Sequence, residues 1–360
     1  MARDEQEVLD AIERRRRRPV RRLLDERVTL AHGAGGKSSH ALIEALFLPE
    51  LANPLLEPLG DSAVIPRNGD GEALAFSTDS YVVRPLFFPG GDIGELAVNG
   101  TVNDLAMSGA RPLCLSAGFI VEEGLPTDEL RRIAESMGRA ARQAGVVVAT
   151  GDTKVVERGK GDGVYINTAG LGLLERRADL SPREVRPGDR VLVSGTLGDH
   201  GMAIMIARGE LELEVELESD TAALNGLVGS LLDATDGVRC LRDPTRGGLA
   251  TVLAELALTA EVGIVVDEQA LPVRPEVTGA CEILGIDPLY VANEGKLVAV
   301  VAPEAADAAL AGVRAHPLGR DAALVAEVRE EPPGLVLLDT AFGGSRVVDM
   351  LAGDPLPRIC

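Results

Sequence analysis

Runs of apolar residues along the chain predict a mixture of strands and helices. Strand-like runs occupy 62–66, 73–83, 145–156 and 164–174, and two more follow at 262–267 and 296–302. Segments 92–110 and 127–145 instead have apolar residues at helical spacing, with Asp92 and Thr127 as candidate N-caps. A Gly-rich turn before Leu42, Ile43, Leu46 and Phe47 predicts one more helix with an apolar face. The pattern predicts the α/β class, with an α+β arrangement in the first half.

The chain length of 360 residues favours two compact domains. Pro182, Pro187 and Gly188 lie in a linker-like stretch between the two sets of strands. We therefore expect an Arg-rich N-terminal extension over 1–27, domains over 28–178 and 179–346, and a flexible tail over 347–360 that ends in Cys360.

The charge and cysteine content exclude several classes of protein. A formal net charge of −20 disfavours a broad nucleic-acid surface, although Arg14 to Arg18 form a local basic run. Apolar runs are strand-sized, so no membrane contact is expected. The four cysteines lie far apart without a metal-binding or disulfide pattern. These features are typical of a cytoplasmic protein.

Aspartates recur at the ends of strand-like runs and the starts of helices, beside Gly and polar residues. They are Asp61, Asp79, Asp104, Asp152 and Asp243. Any one of them is typical of a turn or a helix cap. Five in comparable positions indicate a shared acidic cleft, and carboxylate oxygens suit Mg²⁺ bound to substrate phosphates. The sequence thus predicts an ATP and Mg²⁺ site.

Two further motifs add candidate chemistry. "HGAGGKSS" lacks the first glycine of a P-loop, because Ala31 stands there, yet Gly35, Gly36 and Lys37 could still face phosphate. A plain glycine-rich helix entry is the alternative. In "VANEGKL", Glu294 could serve as a general base or merely as a loop cap.

Taken together, "HGAGGK", "GDSAVI", "STDSYVV", "NGTVNDLAMSGA", "GDTKVV", "DPTRGGLA", "NEGKL" and the final "PRIC" resemble the HypE family of hydrogenase maturation proteins. That family belongs to the PurM-like ATP-binding superfamily, and the likeness runs from about residue 28 to the last residue. It implies a PurM-like two-domain fold, in which the N-terminal sheet pairs with that of a second subunit in a homodimer and a C-terminal α/β domain packs alongside.

The resemblance also implies roles for particular residues. Asp61, Asp79 and Asp243 would bind metal and, with Lys37, Asn103, Asp104, Asp152 and Thr153, the nucleotide. Cys360, Lys154 and Glu294 would be catalytic. The Arg-rich residues 1–27 are not part of the family pattern.

The implied reaction uses Cys360 as a covalently carried substrate. A HypF-type carbamoyltransferase would load the thiol with a carbamoyl group. ATP-dependent dehydration of this thiocarboxamide would give a thiocyanate, and a HypC–HypD complex would accept the cyanide for the iron of a nickel–iron hydrogenase. The segment 347–360 could extend about 45 Å at about 3.3 Å per residue, enough to cross a domain cleft.

Two other functions stay open from the sequence. Another PurM-like kinase or ligase would use ATP on a free small molecule and would not need Cys360. A non-catalytic carrier would need Cys360 but not the acidic residues.

Overall fold

A computed structural model describes residues 25–66, 73–174, 180–209, 216–351, 353, 356 and 358–360. Residues 1–24 of the predicted N-terminal extension, and Pro355 and Pro357 of the predicted tail, lie outside the described residues.

The first half of the chain forms a five-stranded sheet in the order β1-β2-β7-β5-β6. Its strands are β1 (Ala63–Pro66), β2 (Ala73–Tyr81), β5 (Arg111–Glu122), β6 (Val147–Val156) and β7 (Val164–Leu174). A short hairpin, β3 (Phe87–Phe88) and β4 (Gly91–Asp92), precedes the main helix. Only β5 and β6 run parallel, and the other neighbours are antiparallel.

The second half forms a seven-stranded sheet in the order β14-β13-β10-β12-β8-β11-β9. Its strands are β8 (Arg190–Val193), β9 (Val238–Arg242), β10 (Gly263–Asp267), β11 (Val298–Val301), β12 (Ala323–Arg329), β13 (Leu335–Asp339) and β14 (Ser345–Val348). The fold is mixed α/β with two sheets, as predicted.

The described residues also form nine α-helices. They are α1 (Lys37–Leu42), α2 (Leu48–Leu51), α3 (Ile93–Met107), α4 (Thr127–Ala144), α5 (Asp199–Ala207), α6 (Asn225–Ala234), α7 (Gly248–Ala260), α8 (Pro275–Leu284) and α9 (Ala306–Ala315). A π-helix, Ile43–Phe47, joins α1 to α2. Short 3-10 turns occupy Leu30–Gly33, Pro182–Glu184, Glu268–Ala270, Pro288–Tyr290, Pro303–Ala305 and Pro317–Gly319.

Helix α3 links the two halves because nearly all of its side chains are buried. Its N-cap is Asp92, as predicted, and Asp92 Oδ1 accepts from the Gly94 amide (2.7 Å) and from Ser136 Oγ (2.5 Å). At its other end, Ala106 and Met107 join the core of the second half. The two halves therefore share a continuous interior.

One prediction about local structure was wrong. Pro126, and not Thr127, is the N-cap of α4, because Thr127 already has helical geometry. The helix predicted after the Gly-rich turn is present, and Leu46 and Phe47 on its apolar face are each about half exposed. Among the described residues, nothing covers this face fully.

Candidate active site

Five carboxylates converge where the two halves meet. Asp61 precedes β1, Asp79 lies on β2, Asp104 on α3, Asp243 just after β9 and Glu294 in the loop before β11. Burial raises the pKa of each of them, and repulsion between neighbouring carboxylates raises most of them further. The pKa of Asp243 rises to about 7. The fold thus gathers negative charge in one cleft.

Two arginines that the sequence reasoning did not single out balance part of this charge. Arg242 contacts Asp61, with 3.0 Å between Nε and Oδ1, and its Nη2 donates to Glu255 (2.9 Å). His40 Nε2 lies 2.8 Å from the other oxygen of Glu255, which raises the pKa of His40. Arg246 is held on the Gly-rich turn through Nη1, which donates to Gly33 O (2.7 Å).

The last residues of the chain lie in this cleft. The Arg84 amide donates to Arg358 O and the Val82 amide to Cys360 O, each at 3.2 Å, so the end of the chain pairs antiparallel with the segment after β2. The Leu356 and Ile359 side chains are buried in the core shared by both halves. The flexible tail was predicted to begin at residue 347, but Val347 and Val348 pair with β13 as part of β14. We therefore call residues 349–360 the arm, and its end is docked here.

The docked Cys360 faces Glu294, Arg246 and Asp79. Burial raises the pKa of the Cys360 thiol far above its usual range, and the charge of Glu294 raises it further, against the opposing effect of Arg246. Glu294 Oε1 is buried and, among the described residues, has no hydrogen-bond partner. The docked thiol is therefore held protonated beside a carboxyl group with an unused lone pair.

A buried ion pair supports the Glu294 loop from below. Lys296 Nζ lies 2.9 Å from Asp220 Oδ2, and Asp220 Oδ1 accepts from the Glu294 amide (3.0 Å). Asn293 adds a link, because its Oδ1 accepts from Gly198 N (2.7 Å). The contacts of Asp220 and of the neighbouring Asn293 therefore fix the position of Glu294.

The Gly-rich turn closes the cleft over the arm. The Lys37 amide donates to Leu351 O (2.9 Å), and Lys37 Nζ pairs with Asp349 at 2.5 Å. A cavity of about 90 Å³ remains between this turn, Arg246 and Cys360. The Lys37 side chain is thus used, in this state, to hold the start of the arm.

Comparison with known proteins identifies the relatives of this site. Residues 59–174 match the N-terminal and 186–337 the C-terminal domain model of AIR synthase related proteins. Carbamoyl dehydratase HypE from Rhizobium leguminosarum bv. viciae is 54% identical over 335 residues, which cover 93% of this chain and 95% of the relative. The chain belongs to the HypE family.

Solved structures of HypE proteins agree with this assignment. A HypE–HypF complex has a TM-score of 0.81 at 48% identity and covers 86% of this chain and 100% of that chain. HypE in complex with ATP has a TM-score of 0.77 at 49% identity and covers 93% and 100%. This chain therefore shares the PurM-like fold with these HypE structures over nearly its whole length.

Three of the residues that the HypE resemblance implicated lie apart from this cleft. Asp152, Thr153 and Lys154 are on β6, and Lys154 Nζ bonds only to its neighbour Asp152 (2.6 Å) among the described contacts. Strands β7 and β5 lie between β2 and β6, so β6 is three inter-strand spacings of about 4.8 Å, or about 14 Å, from β2. Within one chain, Lys154 does not reach Cys360.

Lys154 also points to the other side of the sheet from Asp79. Directly paired residues share a face, and Lys154 pairs with Ile120, whereas Asp79 belongs to the row of Thr168 and Ala117. Ile120 is exposed, and Thr168 and Ala117 are buried under α3. We call the face with Lys154 and Ile120 the open face.

Asn103 is placed near the cleft, but its amide already has three partners. Its Oδ1 accepts from Leu224 N (2.8 Å), and its Nδ2 donates to Ala222 O (3.1 Å) and Glu294 O (3.3 Å). In this arrangement Asn103 joins α3 to the Glu294 loop.

The carboxylates fit a magnesium ion that is shared with phosphate. No three His, Cys, Asp or Glu side chains among the described residues are placed to hold a metal by themselves. Mg²⁺ needs only one or two protein carboxylates when phosphate and water supply the other ligands. The mutual repulsion around Asp243 is the kind that a divalent cation relieves.

No helix among the described residues has the length and apolar character needed to cross a membrane.

Proposed function

We propose that this protein is an ATP-dependent carbamoyl dehydratase whose substrate is a carbamoyl group on its own Cys360. The observation that carries the proposal is the docked arm, which presents the Cys360 thiol to Glu294 inside the acidic cleft. Membership of the HypE family supports the same reaction, because relatives across nearly the whole chain are carbamoyl dehydratases. The alternative is an ATP-dependent kinase or ligase for a free small molecule. That function would not require the arm to bind in the cleft.

The proposed reaction converts a thiocarboxamide, S–C(=O)–NH₂, into a thiocyanate, S–C≡N. The γ-phosphoryl group of ATP is transferred to the carboxamide oxygen, which makes that oxygen a good leaving group. The nitrogen gives up both protons, the carbon–oxygen bond breaks, and phosphate leaves with the original carboxamide oxygen. The products are ADP, phosphate and the thiocyanate, with the atoms of one water molecule removed from the carbamoyl group.

The protein residues have separate tasks in this scheme. Glu294 accepts a proton from the nitrogen, since its raised pKa brings it nearer to the pH at which a base works best. Arg246 supplies positive charge beside Cys360 and Asp79. Asp61, Asp79 and Asp243 would hold Mg²⁺, which when bound neutralises charge on the transferred phosphoryl group. Lys37, Asp104 and Asn103 are proposed nucleotide contacts from the same chain. Asp152 and Thr153 lie apart from the cleft on β6, so they would contact the nucleotide only from a second copy of the chain.

Lys154 becomes part of this site only if a second copy covers the open face. Exposed apolar side chains lie there beside Lys154, among them Phe76, Ile120 and Leu171. A large exposed apolar patch is typical of a protein interface. We therefore propose a homodimer in which Lys154 of the partner subunit assists at the Cys360 site.

Partners act before and after the dehydration. A HypF-type carbamoyltransferase loads Cys360, in line with the solved HypE–HypF complex of relatives. A HypC–HypD complex would take the cyanide for the iron of a nickel–iron hydrogenase. Both exchanges require the arm to leave the cleft, and its 12 positions, 349–360, which follow β14, span about 40 Å when extended at about 3.3 Å per residue.

The test is to follow the mass of the peptide 354–360, which cleavage before Asp354 releases. Incubation with a HypF-type enzyme and carbamoyl phosphate should add a carbamoyl group, and ATP with Mg²⁺ should then remove the mass of one water. Cys360→Ala should show neither change. An adduct that persists unchanged after ATP is added would contradict the dehydratase. ATP turnover on a free substrate that survives Cys360→Ala would favour the kinase or ligase.

A further inference from the structure

The arm is held in the cleft through the main-chain oxygens of its last three residues. Arg358 O accepts from the Arg84 amide and also from the Arg208 guanidinium, and Cys360 O accepts from the Val82 amide. These contacts do not involve the Cys360 sulfur. The third main-chain oxygen, Ile359 O, is bound by the buried side chain of His200.

His200 Nε2 lies 2.7 Å from Ile359 O. A carbonyl oxygen can only accept, so Nε2 carries the proton and donates it to the arm. The other ring nitrogen, Nδ1, lies 2.8 Å from Ser219 Oγ, which in turn accepts from the Thr221 amide (3.1 Å). Ser219 therefore donates to Nδ1, and the chain of hydrogen bonds selects the tautomer that faces Ile359.

The His200 ring has little freedom to move. It is fully buried at the start of α5, and Phe88 packs edge-on against it, with 5.7 Å between ring centroids. Ser219 is itself fixed, because its amide donates to Pro89 O (2.8 Å). Burial also lowers the pKa of His200, so the ring stays neutral. His200 thus presents a rigid, neutral donor to the docked arm.

We propose that His200 is a positioning residue that holds the arm in the cleft by donating a hydrogen bond to Ile359 O. It binds the backbone one residue before the reacting cysteine. The same bond can therefore form whether the sulfur is free or carries a carbamoyl or cyano group. The statement about a carbamoyl or cyano group on the sulfur rests on the proposed function. The hydrogen bond from His200 to Ile359 O does not.

Two substitutions of His200 distinguish the effect of its Nε2–H donor from the effect of the rest of the side chain. In His200→Gln the amide N–H lies near the position of Nε2 and can still reach Ile359 O. In His200→Asn the shorter amide reaches only toward Ser219. Losing a buried hydrogen bond to the arm should raise the undocked fraction on the order of tenfold.

The measurement is the rate at which iodoacetamide alkylates Cys360, followed on the peptide 354–360 without ATP or partner proteins. The docked thiol is protonated and partly buried, so only the undocked arm reacts quickly. We expect His200→Asn to react about tenfold faster than wild type, and His200→Gln to remain close to it. Ile359→Asp gives the rate of a released arm, and His316→Gln is a control at a histidine whose Nδ1 accepts from Leu318 N.

Equal protection of Cys360 in His200→Asn and wild type would overturn the proposal, and so would equally fast alkylation in the Asn and Gln variants. His200→Phe is a second donor-free variant that keeps the ring volume beside Phe88. Thermal unfolding identifies the variants that fold, and any donor-free variant that folds and still protects Cys360 counts against the proposal. Because no ATP or loading enzyme is used, the result is independent of whether the dehydratase assay succeeds.

Discussion

At the scale of single residues, Glu294 has the properties of a base that is ready to act. It is buried, its pKa is raised first by desolvation and then by Asp243 and Asp79, and Oε1 has no partner among the described residues. The backbone link to Asp220 keeps it aimed at Cys360. Burial and repulsion, which cost stability, are what raise its pKa above the usual range of a glutamate.

Glu294→Gln keeps the size of the side chain and removes its ability to accept a proton. Dehydration should therefore slow about 10²- to 10⁴-fold, the usual contribution of a positioned base, while loading of Cys360 continues. Single-turnover mass spectrometry of loaded protein should show the carbamoyl adduct accumulating. Glu282→Gln, at an exposed position on α8, is the matched control.

The pH dependence tests the same assignment. Since Glu294 must be ionised to act as a base, the wild-type dehydration rate should rise with pH up to the raised pKa of this carboxyl. In Glu294→Gln this rising limb should disappear. A limb that persists unchanged in the variant would assign the base to another group.

At the scale of secondary-structure elements, the open face of the first sheet is the feature that the described part of one chain leaves uncovered. Helix α3 covers the opposite face of β2 and β7, and α4 packs on α3. On the open face, Phe76 of β2 pairs with Leu171 of β7, and both remain exposed. A second copy of the same face would bury them.

Phe76→Lys places a charge in the proposed interface. We expect sedimentation analysis to show a shift from two chains toward one, because burying an unpaired ammonium is costly. Thermal stability of the single chain should change little, since Phe76 is 41% exposed in it. Leu258→Lys, at 47% exposure on α7, is the matched control. A dimer that resists Phe76→Lys would place the interface elsewhere.

At the scale of the whole molecule, the cleft exists because the two halves bring their acidic residues together. Asp61, Asp79 and Asp104 come from the first half, and Asp243 and Glu294 from the second. Their pKa values are raised in the folded chain, so the folded state holds protons that the unfolded state releases. Without cations, folding therefore works against the repulsion in the cleft.

The sign of this effect gives a stability prediction. Between the usual aspartate pKa of 3.8 and the value of about 7 for Asp243, the folded protein binds more protons, so its free energy of unfolding falls as pH rises. In EDTA, urea unfolding should show lower stability at pH 8 than at pH 5. Asp243→Asn should reduce this loss, by about 1–3 kcal/mol. An unchanged slope in the variant would mean that Asp243 does not titrate in this range.

The amount that sequence could predict differs between elements. Strands β1, β2, β6 and β7 follow from their apolar runs, but the interior strand β5 was missed because Pro112, Ser116 and Gly118 interrupt its apolar pattern. Strands β9, β12, β13 and β14 and the short β3–β4 hairpin were missed as well. Arg246 lies inside the motif "DPTRGGLA", yet nothing local distinguishes a site arginine from the many surface arginines of this chain.

By itself, the sequence determined the fold class, the family and most of the acidic residues, because apolar periodicity and short motifs are properties of contiguous chain. Only the tertiary structure decided that Cys360 is docked, that Arg246 and His200 meet the arm, and that Lys154 lies on the open face. Such contacts join residues far apart in sequence, for example His200 with Ile359 and Asp79 with Glu294. They depend on strand order and on which face each residue takes, and a local pattern contains neither.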